Sequence, residues 1–325
     1  MTQIQTVRGP IAAEQLGPTL AHEHIFVTTA EAQENWPAEW GDEQARIDDA
    51  VRQLTALHEA GIASIFDPTV VGLGRNIPRI KHVADRVALN IVVATGIYTY
   101  DEVPNYFRSR GKGLHPDLPE PMVDLFVQDL TVGIADTGVR AAFLKCAVDE
   151  KGLTPGTERI LRAVAQAHLQ TAAPIMVHTH AESEQGRAVR RVLEEEGVSP
   201  RVVMIGHCGD SADPDYLSEL AEAGYLLGMD RFGLDTIADT ARRVEIVTQM
   251  CRRGFASHMV LAHDTACYID WADPAARDWL PNWNYLHIPQ NVLPALREQS
   301  VSNEQIDQML TANPRDWISG TRAGT

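Results

Sequence analysis

His22 and His24 stand one residue apart in the stretch Thr19-Leu-Ala-His-Glu-His-Ile-Phe-Val27. In an extended strand, residues two apart face the same side, so two imidazoles placed this way can reach one metal ion. Two solvated histidines on an edge strand would show the same pattern, and only further ligand-type residues separate the readings. Such residues recur as Lys145, His178, His180, His207 and Asp264. Together they supply the imidazoles and carboxylate of a polynuclear divalent-metal site. Lys145 is the unusual member. It lies in Ala-Ala-Phe-Leu-Lys-Cys-Ala-Val, an apolar run in which an unpaired ammonium would be costly to bury. One solution is a snorkelling side chain or an ion pair with Asp149. The other is carbamylation by CO₂, which converts the lysine into an anionic carboxylate able to bridge two metal ions.

Such a site needs a scaffold that gathers distant residues at one face. Eight short apolar runs alternate with amphipathic segments, at 18–27, 63–68, 91–95, 142–148, 175–180, 202–208, 225–230 and 259–264. The ligand types lie at or near the C-terminal ends of these runs. His22 and His24 are on the first, Lys145 on the fourth, His178 and His180 on the fifth, His207 on the sixth and Asp264 on the eighth. Helices are predicted over 43–60, 124–137, 157–172, 187–196, 214–223 and 239–253. In the first of them Ile47, Val51, Leu54 and Leu57 share a face that stops at Gly61. Ser302-Asn-Glu-Gln305 reads as a capping box opening a last helix, expected to stop before Pro314.

Eight βα units predict an α/β chain folded as a (β/α)₈ TIM barrel, one domain over 1–325. A doubly wound open sheet is the alternative, but no Gly-x-Gly-x-x-Gly fingerprint follows an early strand. The longest irregular stretches, 99–121 and 266–288, both follow strands and fall on the C-terminal face of such a barrel.

A formal charge of −16 argues against nucleic acid and anionic membrane surfaces as partners. The first ten residues lack the basic-then-apolar pattern of a secretory signal. Cys146, Cys208, Cys251 and Cys267 form no CxxC pair and read as reduced, buried thiols. These features set the expectation of a cytoplasmic protein.

The set His22-x-His24, Lys145, His178, Gly206-His207 and His263-Asp264 resembles the phosphotriesterase family of the amidohydrolase superfamily over nearly the full length. The motifs Gly96-Ile-Tyr-Thr-Tyr100, Gly228-Met-Asp-Arg-Phe-Gly-Leu-Asp235 and Ile269-Asp-Trp271 are most similar to its phosphotriesterase-like lactonases. The resemblance implies a binuclear centre, with one divalent ion on His22, His24 and Asp264 and the other on His178 and His207. A carbamylated Lys145 and a hydroxide would bridge them. Zinc is the first candidate metal, with cobalt, manganese or iron as alternatives. The family's interval of 29 residues to the Gly-His histidine selects His178 over His180. The implied reaction is attack of the bridging hydroxide on a lactone carbonyl, with Asp264 carrying the proton to the leaving alkoxide. Tyr98 would lie over the metals and Arg231 would shape the pocket mouth.

Trp271, Trp279, Leu280, Trp283, Tyr285 and Leu286 follow the eighth strand and are expected to line an apolar channel for an acyl chain. The implied substrates are N-acyl-homoserine lactones, so that the enzyme would quench quorum signals and act weakly on organophosphates. Family members are commonly homodimers, which is the expectation here. The competing readings are a phosphotriesterase or other ester hydrolase on the same site, and a non-catalytic ligand-binding barrel. Glu23, between the two histidines, should face the other way and be structural, and His263 should lie outside the metal shell. Asp210 and Asp235 are read as residues that orient ligands.

Overall fold

The computed structural model describes residues 2–273 and 275–322. A hairpin of β1 (Gln3–Thr6) and β2 (Gly9–Ala12) precedes the main sheet. The sheet itself takes its eight parallel strands in sequence order: β3 (Thr19–Leu20), β5 (Ser64–Asp67), β6 (Asn90–Gly96), β7 (Phe143–Val148), β8 (Ile175–Thr179), β9 (Val203–Ile205), β10 (Leu226–Met229) and β11 (Met259–Leu261). Ala21 N donates to Leu261 O at 3.3 Å, joining the first strand to the last. Beyond a bend at residues 21–23 the first strand continues as β4 (His24–Val27), and beyond 262–265 the last continues as β12 (Ala266–Ile269). These upper halves pair parallel, with Ala266 opposite His24, and complete the closure. The result is the (β/α)₈ barrel that the βα alternation predicts.

Side chains alternate along each strand, so one set fills the barrel and the other meets the helices. Phe66, Val92, Phe143, Met176, Met204, Leu226 and Val260 pack together inside, with Ile4, Leu16 and Trp317 in the same cluster. Trp317 lies 5.8 Å from Phe66 and 5.6 Å from Phe143, ring to ring. Lys145 is two residues beyond Phe143 on β7 and therefore also points inward, one layer nearer the C-terminal face. At this level β6 and β7 approach too closely for a side chain. A Cβ on Gly96, whose φ is +144°, would stand 1.8 Å from Lys145 O.

The helices follow the predicted pattern with shifts at their ends. The one over Glu43–Glu59 starts from Asp42, whose carboxylate accepts from Ala45 N, and buries Ile47, Ala50, Leu54 and Leu57. Ala50 joins this inner face, and Val51 packs half-buried at its edge. A helix over Ile77–Ala84 is an addition to the predicted set; Pro78 occupies its first turn, where its missing N–H costs nothing. The capping box at Ser302 and Gln305 forms in both directions, yet the chain stays helical past Pro314. A π-turn over Gln308–Ala312 removes the hydrogen bond that the proline could not donate. The stretch 266–288, read as irregular, begins with β12. No helix among the described residues is long and apolar enough to cross a membrane, and all four cysteines are buried.

Candidate metal centre

The bends that interrupt the first and last strands carry the site. His22 lies in the first bend and Asp264 in the second, where its φ is +54°. His207, at the end of β9, also takes a left-handed backbone with φ +64°. For a non-glycine residue this conformation is sparsely populated and is sustained only by surrounding contacts. The bends turn the side chains into a shared cavity of about 160 Å³, walled by His22, His24, Tyr98, Lys145, His178 and Asp264 among others.

Asp264 Oδ1 is 3.3 Å from His22 Nε2 and 3.2 Å from His24 Nε2. Its Oδ2 lies 3.8 Å from His207 Nε2. His207 Nε2 and His178 Nδ1 are 2.7 Å apart, and Lys145 Nζ is 3.4 Å from His22 Nε2. The structure thus brings together all six residues read as ligands. His180 is not among them: it faces a neighbouring polar cleft, with its Nδ1 2.7 Å from Ser183 Oγ.

The outward nitrogen of each imidazole decides what the inward one can do. His22 Nδ1 and His207 Nδ1 lie 2.7 and 3.0 Å from the two carboxylate oxygens of buried Asp230. His24 Nδ1 is 2.7 Å from Thr69 Oγ1, which itself donates to Asp67 Oδ1 at 2.5 Å. His178 Nε2 pairs with Asp149. Each outer nitrogen therefore carries the proton, and each inner nitrogen presents a lone pair. Four lone pairs and a carboxylate converge, and two of the lone pairs face each other at 2.7 Å. Burial lowers the pKa of His178 to about 4, that of His207 well below its ordinary value, and that of His22 as well. Protonation therefore does not relieve the repulsion. A donor set of this kind fits divalent cations.

Lys145 is 1% exposed and has no ion pair with a carboxylate among the described residues. Asp149, its expected alternative partner, is instead committed to His178. Burial lowers the lysine to about 8, against the attraction of Asp264 and Asp230. At that value an appreciable neutral fraction exists near physiological pH, which is the form that adds CO₂. Asp230 with His22 and His207 also meets the spacing of a cation site. Its contacts are hydrogen-bond lengths, however, and Asp230 Oδ1 accepts a further bond from His207 N at 2.8 Å. Asp230 is an orienting carboxylate.

The sequence and fold have counterparts among known proteins. The sequence model of the Phosphotriesterase family matches residues 2–318. The chain belongs to the phosphotriesterase family. It is 53% identical to the "Phosphotriesterase homology protein" of Mycobacterium tuberculosis, over 97% of either chain. It is 35% identical to an "Aryldialkylphosphatase" of Saccharolobus solfataricus, over 95% of this chain and 97% of that one. The solved structure of the phosphotriesterase from M. tuberculosis superposes with a TM-score of 0.96 at 52% identity, over 99% of this chain and all of that one. The protein is a hydrolase of a family that works with binuclear metal centres.

Within this phosphotriesterase-family site, Tyr98 Oη lies 3.4 Å from His178 Nδ1 and 2.6 Å from Tyr100 Oη. Arg231 reaches Asp264 Oδ2 through Nε at 3.2 Å and Asp210 Oδ2 through Nη1 at 3.0 Å. It forms the wall between the metal cavity and the polar cleft that contains His180, a space of about 730 Å³. Asp210 is held in turn by Arg243, 2.5 Å from its other oxygen. Asp235 contacts no imidazole of the site; it accepts from Asn282 Nδ2 at 2.7 Å. Of the six residues expected to form the acyl channel, Trp271 and Trp283 line the cavity. Tyr285 turns into the core and donates to His24 O, whereas Trp279 is exposed. Sequence reasoning passed over Asp230, Thr69 and Asp67. Asp230 and Asp67 lie at the ends of predicted strands, so their positions were usable signals; Thr69 had none.

Proposed function

We propose that this hydrolase is a binuclear-metal lactonase that opens N-acyl-homoserine lactones and so quenches quorum signals. The observation that carries the reading is the wall of the metal cavity. Leu73, Leu234, Ile269, Trp271 and Trp283 give it an apolar, aromatic part beside the histidines. Such a surface suits an alkyl chain attached to a compact polar ring.

His22, His24 and Asp264 would hold one ion and His178 and His207 the other, with carbamylated Lys145 between them. Carbamylation joins the neutral lysine amine to CO₂ and releases one proton. Bound divalent ions, zinc first among cobalt, manganese and iron, lower the pKa of water and polarise a carbonyl. As water oxygen adds to the lactone carbonyl and the ring C–O bond breaks, Asp264 is the group that would take the water proton. Burial alone would raise its carboxyl, but its neighbours, the Arg231 guanidinium among them, outweigh that and hold it well below the ordinary value. Its Oδ2 then hands the proton to the alkoxide released from the ring. The Tyr98 hydroxyl stands over His178 and orients the ring, and Arg231 fixes Asp264 while closing the cavity on its polar side. The apolar wall takes the acyl chain and keeps bulk water from it.

The names of the relatives favour a second reading, in which phosphotriesters are the substrates. Comparing kcat/KM on short- and long-chain acyl-homoserine lactones with that on paraoxon separates the two. Lactones preferred by orders of magnitude, with paraoxon a weak side reaction, is the expected result. The reverse order would overturn the lactonase assignment. The proposal includes a cytoplasmic homodimer, and light scattering that returns a monomer mass would remove the dimer.

A further inference from the structure

Glu23 stands between the metal-site histidines of the first strand and points away from them, yet it is fully buried. Its carboxylate crosses the seam where the barrel closes. Oε1 accepts from His263 N at 2.8 Å and from His263 Nδ1 at 2.7 Å, and Oε2 accepts from Thr265 N at 3.3 Å. The amide between these two, Asp264 N, donates to His22 O at 3.1 Å. Three consecutive N–H groups of the last strand thus all end on the tripeptide 22–24. The return bond is His24 N to Thr265 O at 2.9 Å.

A run of amides converging on one carboxylate is a nest, and it needs a left-handed residue within it. That residue is Asp264, at φ +54°. Removing the carboxylate would leave the amides of His263 and Thr265 buried without acceptors, and the cost of the left-handed backbone uncompensated. The imidazole of His263 extends the clamp. Its Nε2 accepts from Ile288 N at 2.9 Å, so Nδ1 carries the proton donated to Glu23. Trp283 Nε1 donates to His263 O at 3.0 Å, tying in a residue of the cavity wall.

We infer that Glu23 is a positioning residue that locks the backbone of Asp264, so that one tripeptide sets all three donors of a single ion: two by its imidazoles and the third by its carboxylate. The inference rests on the proposed role of His22, His24 and Asp264 as metal ligands. It does not depend on which ester or lactone is hydrolysed.

The test uses the full-length protein loaded with cobalt, whose visible d–d bands report coordination. In Glu23→Gln the amide nitrogen cannot accept, so at least one amide of the nest meets a donor. One of the two cobalt equivalents should leave to a chelator roughly 10- to 100-fold faster than in the wild type, with a changed visible spectrum, while the other leaves at the wild-type rate. A purely structural Glu23 would lower the melting temperature and leave both release rates and the spectrum unchanged, which would overturn the inference. A wild-type protein that takes fewer than two equivalents would instead overturn the metal reading beneath it. Should Glu23→Gln fail to fold, His263→Ala is compared with His263→Asn, which restores a donor near the Nδ1 position. Faster release in the first with recovery in the second supports the clamp, and equal release in both overturns it.

Discussion

A lysine nitrogen 3.4 Å from an imidazole, 1% exposed and without an ion pair among the described residues, is a poor place for an ammonium. Conversion to a carbamate would remove that buried cation and supply a negative charge for the two proposed metal ions. Lys145→Ala should therefore lower kcat/KM by at least about 100-fold and drop the bound metal below two equivalents. Short carboxylates such as formate should restore part of the activity by filling the gap. Full metal content and full rate in that variant would remove the bridge from the proposal. Asp230 offers a separate test, because its two oxygens fix His22 and His207, which are assigned to different ions. Asp230→Asn keeps the shape but leaves one imidazole facing an amide donor. Metal affinity or activity should fall roughly 10- to 100-fold, read from chelator competition and initial rates. The six proposed ligands were legible in the chain as chemically apt residues at strand ends. Their outer partners were not, since a threonine such as Thr69 has no spacing that marks it.

At the scale of elements, the strands were expected as continuous runs and two of them are broken. The breaks at 21–23 and 262–265 let His22 and Asp264 leave the regular alternation and turn into the cavity. A period-two reading of the first strand reaches the right residues while missing the bend, because hydrophobic alternation carries no information about a local change of backbone. The segment after β12 shows the same limit. Its aromatic content suggested one continuous channel, but Trp271 and Trp283 meet the cavity while Tyr285 is taken up by the core. Trp271 also stands 5.8 Å from Tyr98, ring to ring, beside the proposed ring site. Trp271→Ala should cut kcat/KM for long-chain lactones about tenfold more than for short-chain ones. That ratio is the loss of contact with about two methylenes at roughly 0.8 kcal/mol each. An equal loss for both chain lengths would place the acyl group elsewhere.

For the whole molecule, burial of titratable groups ties stability to pH. His22, His178, His207, His258, His263 and His287 all have pKa values below the ordinary imidazole value, chiefly through desolvation, with His263 at about 3 and His178 at about 4. Between about 3 and 6.5 the unfolded chain binds protons that these folded histidines refuse, so their contribution is intact above 6.5 and is lost as pH falls. Glu23 and Asp67, raised by burial, act in the opposite direction but are fewer. The metal-free protein should therefore lose melting temperature steadily from pH 7 to pH 4. A flat profile would show that these imidazoles are more open to solvent than the structure has them.

The order of the eight barrel strands, the closed barrel and the residue types of the candidate metal site follow from local periodicity and side-chain chemistry, both written in the linear chain. Membership in the phosphotriesterase family follows from the same motifs. What only tertiary structure decides is which polar groups meet. The outer bonds of the imidazoles, Asp149 choosing His178 over Lys145, and Glu23 reaching across the barrel seam to His263 and Thr265 all join residues far apart in sequence. Their partners are set by where the strands bend and close, and no sequence interval encodes that. Folding turned His22-Glu23-His24 from a two-histidine motif into a tripeptide whose three residues all bear on one proposed metal ion.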